Sequence, residues 1–219
     1  MTRIKICGIR QKIHALAAAE AGADFIGLIF AHSRRRVTLA QAAKIAAAVK
    51  QSGHATEVVG LFVNMPATEV NKIADACHLD WVQLSGDEPW EYCREINKPL
   101  IKAVRVNRRQ SPQEICDVLA NGAKILAHQK HAFLLDSRVK GKYGGTGMTF
   151  NWSLARQVAE SFPVIIAGGL TPENVARAIR TAAPWGVDAS SGVEVAGVKH
   201  VARIRAFIES VRRADANQR

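Results

Sequence analysis

Val164-Ile165-Ile166-Ala167-Gly168-Gly169-Leu170-Thr171-Pro172-Glu173, "VIIAGGLTPE", compresses a complete structural unit into ten residues. Four apolar residues, three of them β-branched, fit a short strand buried on both faces. The two glycines break it. Thr171-Pro172-Glu173 then offers a hydroxyl cap, a proline tolerated in a first helical turn and an acid near the positive helix end. The alanine-rich segment to residue 182 continues as a helix, so the stretch is one βα unit. How often that unit recurs decides the fold.

It occurs eight times in all. The other strands predicted from short apolar runs are Ile4 to Cys7, Phe25 to Phe30, Val58 to Val63, Trp81 to Leu84, Leu100 to Val104, Phe133 to Asp136 and Gly186 to Ala189. Helical periodicity fills residues 11–21, 39–51, 67–77, 88–96, 112–121, 152–160, 172–182 and 200–213. Ser111-Pro112 repeats the cap and proline, and Asn151 is a further good cap. With no linker, low-complexity tract or composition shift, the expectation is α/β class, a single (β/α)8 TIM barrel spanning residues 1–219 as one catalytic domain. An open doubly wound sheet is disfavoured because no G-x-G-x-x-G turn follows the first strand.

Composition limits the function classes. No run approaches the roughly 18 apolar residues of a membrane helix and no signal-like leader opens the chain, so a soluble, cytoplasmic protein is expected without a membrane partner. Cys7, Cys77, Cys93 and Cys116 form no CxxC pair, and the 7 histidines are scattered, so neither disulfides nor a metal nor another cofactor is expected. The 30 basic against 19 acidic side chains give a net charge of +11, which favours encounters with anions. No aromatic residues interleave with the basic clusters as a nucleic-acid stacking platform requires, so no nucleic-acid partner is expected and the clusters read as a solvated basic surface, of which an anionic small substrate explains only a few charges.

In such barrels the active site lies where the strands end. The residues there are Cys7, the run His32-Ser33-Arg34-Arg35-Arg36, Asn64, Ser85-Gly86, Asp136, Gly168-Gly169 and Asp188-Ala189-Ser190-Ser191-Gly192. Gly168, Gly169, Ser190, Ser191 and Gly192 read as a phosphate cradle after strands seven and eight. Cys77, Cys93 and Cys116 fall on helical segments as small hydrophobes, whereas Cys7 closes the first strand at the rim. Asp136 ends an apolar strand, where packing gives no use for an acid. A thiol, a carboxyl group and a phosphate grip suit a cofactor-free isomerisation in which one group gives a proton and another takes one.

The ordered motifs "KICGIR", "GADFIGLIF", "LFVN", "VQLSGDE", "FLLDS", "YGGTGMTFNW", "AGGLTPENV" and "VDASSGVE" resemble the phosphoribosylanthranilate isomerases of tryptophan biosynthesis over nearly the whole chain. The resemblance implies an Amadori rearrangement of N-(5-phosphoribosyl)anthranilate, with Cys7 as general base and Asp136 as general acid. It also implies that Arg35 touches the substrate's anionic groups, that the five glycine-loop residues hold its phosphate, and that Asp188 contacts a substrate hydroxyl or fixes a loop. The expected assembly is a monomer or a homodimer. Three departures stand out: Ser85 replaces the family's usual His, Arg34-Arg35-Arg36 replaces a motif with a single arginine, and Asn151 stands where Asp is common. The sister isomerase of histidine biosynthesis, or a dual-substrate relative, would place Asp at the strand-one position, so Cys7 argues against both. A non-catalytic basic binding barrel leaves the joint presence of Cys7, Asp136 and both glycine loops without a purpose.

Overall fold

A computed structural model describes residues 1–107, 110–137 and 152–217. The strands are β1 (Arg3–Cys7), β2 (Phe25–Ile29), β3 (Glu57–Phe62), β4 (Trp81–Leu84), β5 (Leu100–Val106), β6 (His131–Ser137), β7 (Val164–Ile166) and β8 (Gly186–Ala189). Each pairs in parallel with the next, and β8 pairs back onto β1 to close the barrel. The helices are α1 (Lys12–Glu20), α2 (Leu39–Gln51), α3 (Ala67–Ala76), α4 (Trp90–Cys93), α5 (Pro112–Ile125), α6 (Trp152–Ala159), α7 (Val175–Ala182) and α8 (Val201–Ala216). This is the expected (β/α)8 architecture.

Strand parity sorts the side chains into two cores. Ile4 and Ile6 of β1, Ile26 and Leu28 of β2, Val82 and Leu84 of β4 and Phe133 and Leu135 of β6 face the helices in one continuous apolar layer. The alternate residues Phe25, Val59, Trp81, Ile101, Leu134 and Ile165 fill the barrel interior. Phe25 meets Trp81 edge to face at 5.6 Å. Lys5 and Cys7 share the inward parity of β1, with Cys7 at the carboxyl end of the strand. Beneath the barrel, Asp215 of α8 accepts from the Thr2 N–H at 2.8 Å and hydroxyl at 2.6 Å.

Several elements differ from the sequence expectation. The helix expected over 88–96 shrinks to α4, since beyond it the N–H groups of Arg94, Glu95 and Ile96 bond three residues back, to the carbonyls of Glu91, Tyr92 and Cys93, instead of four. Asn71 Nδ2 donates to the Glu95 carbonyl, and Gln129 Nε2 donates to the carbonyls of Ile96 and Lys98. The helix expected from residue 172 begins at Val175, since Thr171-Pro172-Glu173 form a preceding turn. There Asn174 Oδ1 accepts from the Thr171 N–H at 2.8 Å while its Nδ2 donates to the Gly169 carbonyl. A two-stranded ribbon, β9 (Glu194–Val195) and β10 (Val198–Lys199), follows β8 and has no counterpart in the sequence reading. Its turn residues Ala196 and Gly197 both have positive φ, as a tight hairpin turn requires. Ser111 caps α5 in a reciprocal box with Glu114, as its position predicts. The Asn151 cap and the "YGGTGMTFN" stretch lie outside the described residues. Among those residues no helix is long and apolar enough to cross a membrane.

Candidate active site

A cavity of about 750 Å³ opens at the carboxyl ends of the strands. Its lining includes the nine residues given a role from sequence, Cys7, Arg35, Asp136, Gly168, Gly169, Asp188, Ser190, Ser191 and Gly192, while the strand-end residues Arg36, Asn64 and Gly86 are not part of it. Cys7 ends β1, and Asp136 sits one residue before the end of β6, three strands away round the ring. Cys77, Cys93 and Cys116 stay outside it; burial pushes the Cys93 thiol up to about 11.

The floor beneath Cys7 is charged. Lys5 is 1% exposed, and its Nζ donates to Asp188 Oδ1 at 3.0 Å; the two are direct register partners where β1 meets β8. Cys7 itself is 4% exposed. Burial pushes its thiol above the ordinary range; the Lys5 charge is the largest influence in the opposite direction, Asp188 adds to the rise, and Lys199 opposes it more weakly. Burial works against the Lys5 ammonium, but Asp188 and the neighbouring sulfur outweigh it and hold Lys5 protonated. Gly27 of β2 leaves the room for this arrangement: a Cβ there would lie 2.8 Å from Cys7 Sγ and 3.2 Å from Lys5 Nζ.

Arg35 lies on the opposite flank of Cys7 in the loop after β2. Its Nε and Nη2 clasp the Glu194 carboxylate at 2.6 and 2.9 Å. Lys199 Nζ reaches the same carboxylate at 2.6 Å, and Arg34 Nη2 at 3.0 Å. Three cations therefore converge on Glu194, whose side chain is 4% exposed. Burial alone would raise the Glu194 carboxyl; hydrogen bonds and charge from Arg35 and Lys199 overcome that and hold it below the usual carboxylate range. Of the three consecutive arginines, Arg35 is the buried one, while Arg34 and Arg36 are exposed.

The glycine loops meet directly. Gly168 and Gly169 both adopt positive φ, which bends the chain after β7, and Asn174 pins that bend. Gly192 approaches from the other side so closely that a Cβ would stand 1.8 Å from the Leu170 carbonyl oxygen. On the far wall, Gln83 Nε2 donates to Ser85 Oγ at 3.0 Å, and Gln83 Oε1 is buried without a hydrogen-bond partner. Among the described residues no group of three or more His, Cys, Asp or Glu side chains could hold a metal ion.

Lys5, Gln83, Glu194 and Lys199 are the residues that sequence reasoning did not single out. Lys5 was accessible in principle, since a residue two before Cys7 in a strand shares its face. Glu194 and Lys199 depend on an unpredicted hairpin.

A family model described as N-(5'phosphoribosyl)anthranilate (PRA) isomerase matches residues 4–210. The chain belongs to that family. A PRA isomerase from Dehalococcoides mccartyi is 45% identical over 218 residues, covering 100% of this chain and 99% of the relative. The crystal structure of the Thermotoga maritima phosphoribosyl anthranilate isomerase superimposes with a TM-score of 0.83 at 34% identity, covering 97% of this chain and 99% of that one. A further PRA isomerase structure, in complex with reduced 1-(o-carboxyphenylamino)-1-deoxyribulose 5-phosphate, gives a TM-score of 0.80 at 33% identity over 97% and 99% of the two chains.

Proposed function

We propose that residues 1–219 act as one catalytic domain that converts N-(5'-phosphoribosyl)anthranilate to 1-(2-carboxyphenylamino)-1-deoxyribulose 5-phosphate, with Asp136 as general acid and Cys7 as general base. The reaction is the PRA isomerase step of tryptophan biosynthesis. One observation carries the assignment of roles: a thiol from β1 and a carboxyl group from β6 line a single cavity whose rim is made by the glycine loops after β7 and β8.

The cavity divides the work. Gly168, Gly169, Ser190, Ser191 and Gly192 hold the phosphate, because glycine turns let backbone N–H groups approach an anion closely. Arg35 meets the anthranilate carboxylate with the guanidinium edge that Glu194 leaves uncovered. Asp136 gives its proton to the furanose ring oxygen as the bond from that oxygen to C1 breaks. The anilino nitrogen lone pair then forms the C1=N bond of a Schiff base. Cys7, as thiolate, removes the C2 proton; the C2–H electrons become the C1=C2 bond, and the C=N pair returns to nitrogen. The resulting enolamine gains a proton at C1 and loses its C2 hydroxyl proton to become the ketose.

Loss of substrate fluorescence during turnover tests the roles. Cys7→Ser and Asp136→Asn are each expected to lower kcat by roughly 10²- to 10⁴-fold, the usual contribution of a positioned acid or base. Unimpaired turnover in either variant removes that residue from its role.

A further inference from the structure

We propose that Lys5 is a positioning residue for Cys7: its ammonium, fixed by Asp188 across the β1–β8 seam, is the counter-charge that allows a thiolate to exist in the buried pocket. The proposal rests on the reading of Cys7 as the base and adds what makes a buried thiol usable as one. A thiolate excluded from water is costly unless an opposite charge lies beside it. Lys5 meets that need from below, on the same face of the same strand and two residues away.

The geometry supports the pairing. Lys5 Nζ and Cys7 Sγ both crowd the space that a side chain at position 27 would occupy, at 3.2 and 2.8 Å from the Cβ position, so Gly27 is where the two groups are brought together. Lys5 has a partner that fixes its position: Asp188 Oδ1 at 3.0 Å. Among the described residues, the other charges facing Cys7 are Asp188 on β8, Lys199 on β10 and Arg35 in the loop after β2. Lys199 and Arg35 are both drawn to Glu194 at 2.6 Å, so part of their charge is neutralised there. Asp136 lines the same cavity from β6. Lys5 is thus the cation whose placement is explained by Cys7 and Asp188 together, and a buried lysine in a barrel interior has no packing rationale of its own.

Asp188 then has a defined effect. It anchors the ammonium, and it also competes with the sulfur for that ammonium's charge. Removing the carboxylate and removing the lysine therefore move the thiol in opposite directions.

The test is the pH dependence of iodoacetamide alkylation at Cys7 in the full-length protein, followed by peptide mass mapping so that the other three cysteines do not contribute. This measurement involves no turnover. Lys5→Met is expected to raise the alkylation midpoint by at least about one pH unit, which slows labelling at neutral pH about tenfold, since one unit is a tenfold change in thiolate fraction. Asp188→Asn is expected to lower the midpoint. Lys5→Met/Asp188→Asn, which leaves no isolated buried charge, is expected to fold and to keep a midpoint above that of the wild type, and it stands in for the single lysine variant if that protein does not fold. A wild-type midpoint in the double variant, or a raised midpoint in Asp188→Asn, overturns the proposal. Failure of the base assignment appears separately, as full turnover in Cys7→Ser.

Discussion

Replacing Gly192 by alanine isolates the contact on which the proposed phosphate grip depends. The added Cβ would fall 1.8 Å from the Leu170 oxygen, 2.8 Å from the Leu170 carbonyl carbon and 3.1 Å from Thr171 Cα. All three are backbone atoms, so no rotamer change relieves the overlap. Reaching ordinary contact with the oxygen requires the loops after β7 and β8 to separate by about 1.6 Å. Overpacking of this kind costs about 1–3 kcal/mol, and at about 2–4 °C per kcal/mol for a domain of this size the melting temperature should fall measurably. Misplacement of a substrate-holding group by about 1 Å can reduce rate by about 10²-fold. The expected result is a kcat/KM about two orders of magnitude lower, with weakened inhibition by inorganic phosphate. Turnover by substrate fluorescence, phosphate inhibition constants and thermal unfolding measure the three effects. Wild-type phosphate inhibition together with a wild-type Tm would refute the reading of these loops as a close-packed anion cradle.

Other consequences follow from the same geometry. Gly27→Ala places a methyl group 2.8 Å from Cys7 Sγ and 3.1 Å from Cys7 Cα, so kcat should fall at least tenfold in a protein that still gives a barrel-like circular dichroism spectrum. Glu194→Gln weakens two charge-assisted hydrogen bonds on Arg35; with such bonds contributing about 1.5–3 kcal/mol, KM should rise roughly tenfold or more while kcat stays near wild type in steady-state assays. Because burial holds the Cys7 thiol above its ordinary value, iodoacetamide labelling of Cys7 should accelerate as pH rises from about 6 to about 9, and a labelling rate that is flat over that range would contradict a thiol kept protonated by burial. Asp215→Ala strips the acceptor from the Thr2 N–H and hydroxyl at the far end of the barrel, so calorimetry should register a loss of about 1–3 kcal/mol while kcat is unchanged.

The eight strands were legible because apolar runs bounded by glycine or polar residues carry their own period, as in Val164–Ile166 and Phe25–Ile29. The residues of the cavity wall were legible for a related reason: strand ends in this architecture share one face, so Cys7 and Asp136 could be placed near each other without coordinates. What escaped was decided by side chains reaching across sequence. After Cys93 the N–H groups turn back to carbonyls three residues away, and the segment is tied by Asn71 and Gln129, side chains 24 and more residues distant, which local helical periodicity cannot register. Asn174 displaces Thr171 as the residue that organises the start of α7. The Glu194 cluster was hidden because Arg35 and Glu194 are 159 positions apart and meet only once a hairpin has turned Lys199 back beside them. Asp188 was expected at a substrate hydroxyl or as a loop anchor, and its direct partner is Lys5.

The seam between β1 and β8 joins the first and last strands of the barrel. Lys5 meets Asp188 there, and the loop after β2 reaches Glu194 just beyond it. A nascent chain that has emerged only as far as the seventh strand already holds Cys7 and Asp136, yet it lacks both carboxylates that fix their cationic neighbours. In the proposed mechanism catalytic competence therefore arrives only once Glu194 has been added to the chain, and enzyme activity reports that the ring has shut.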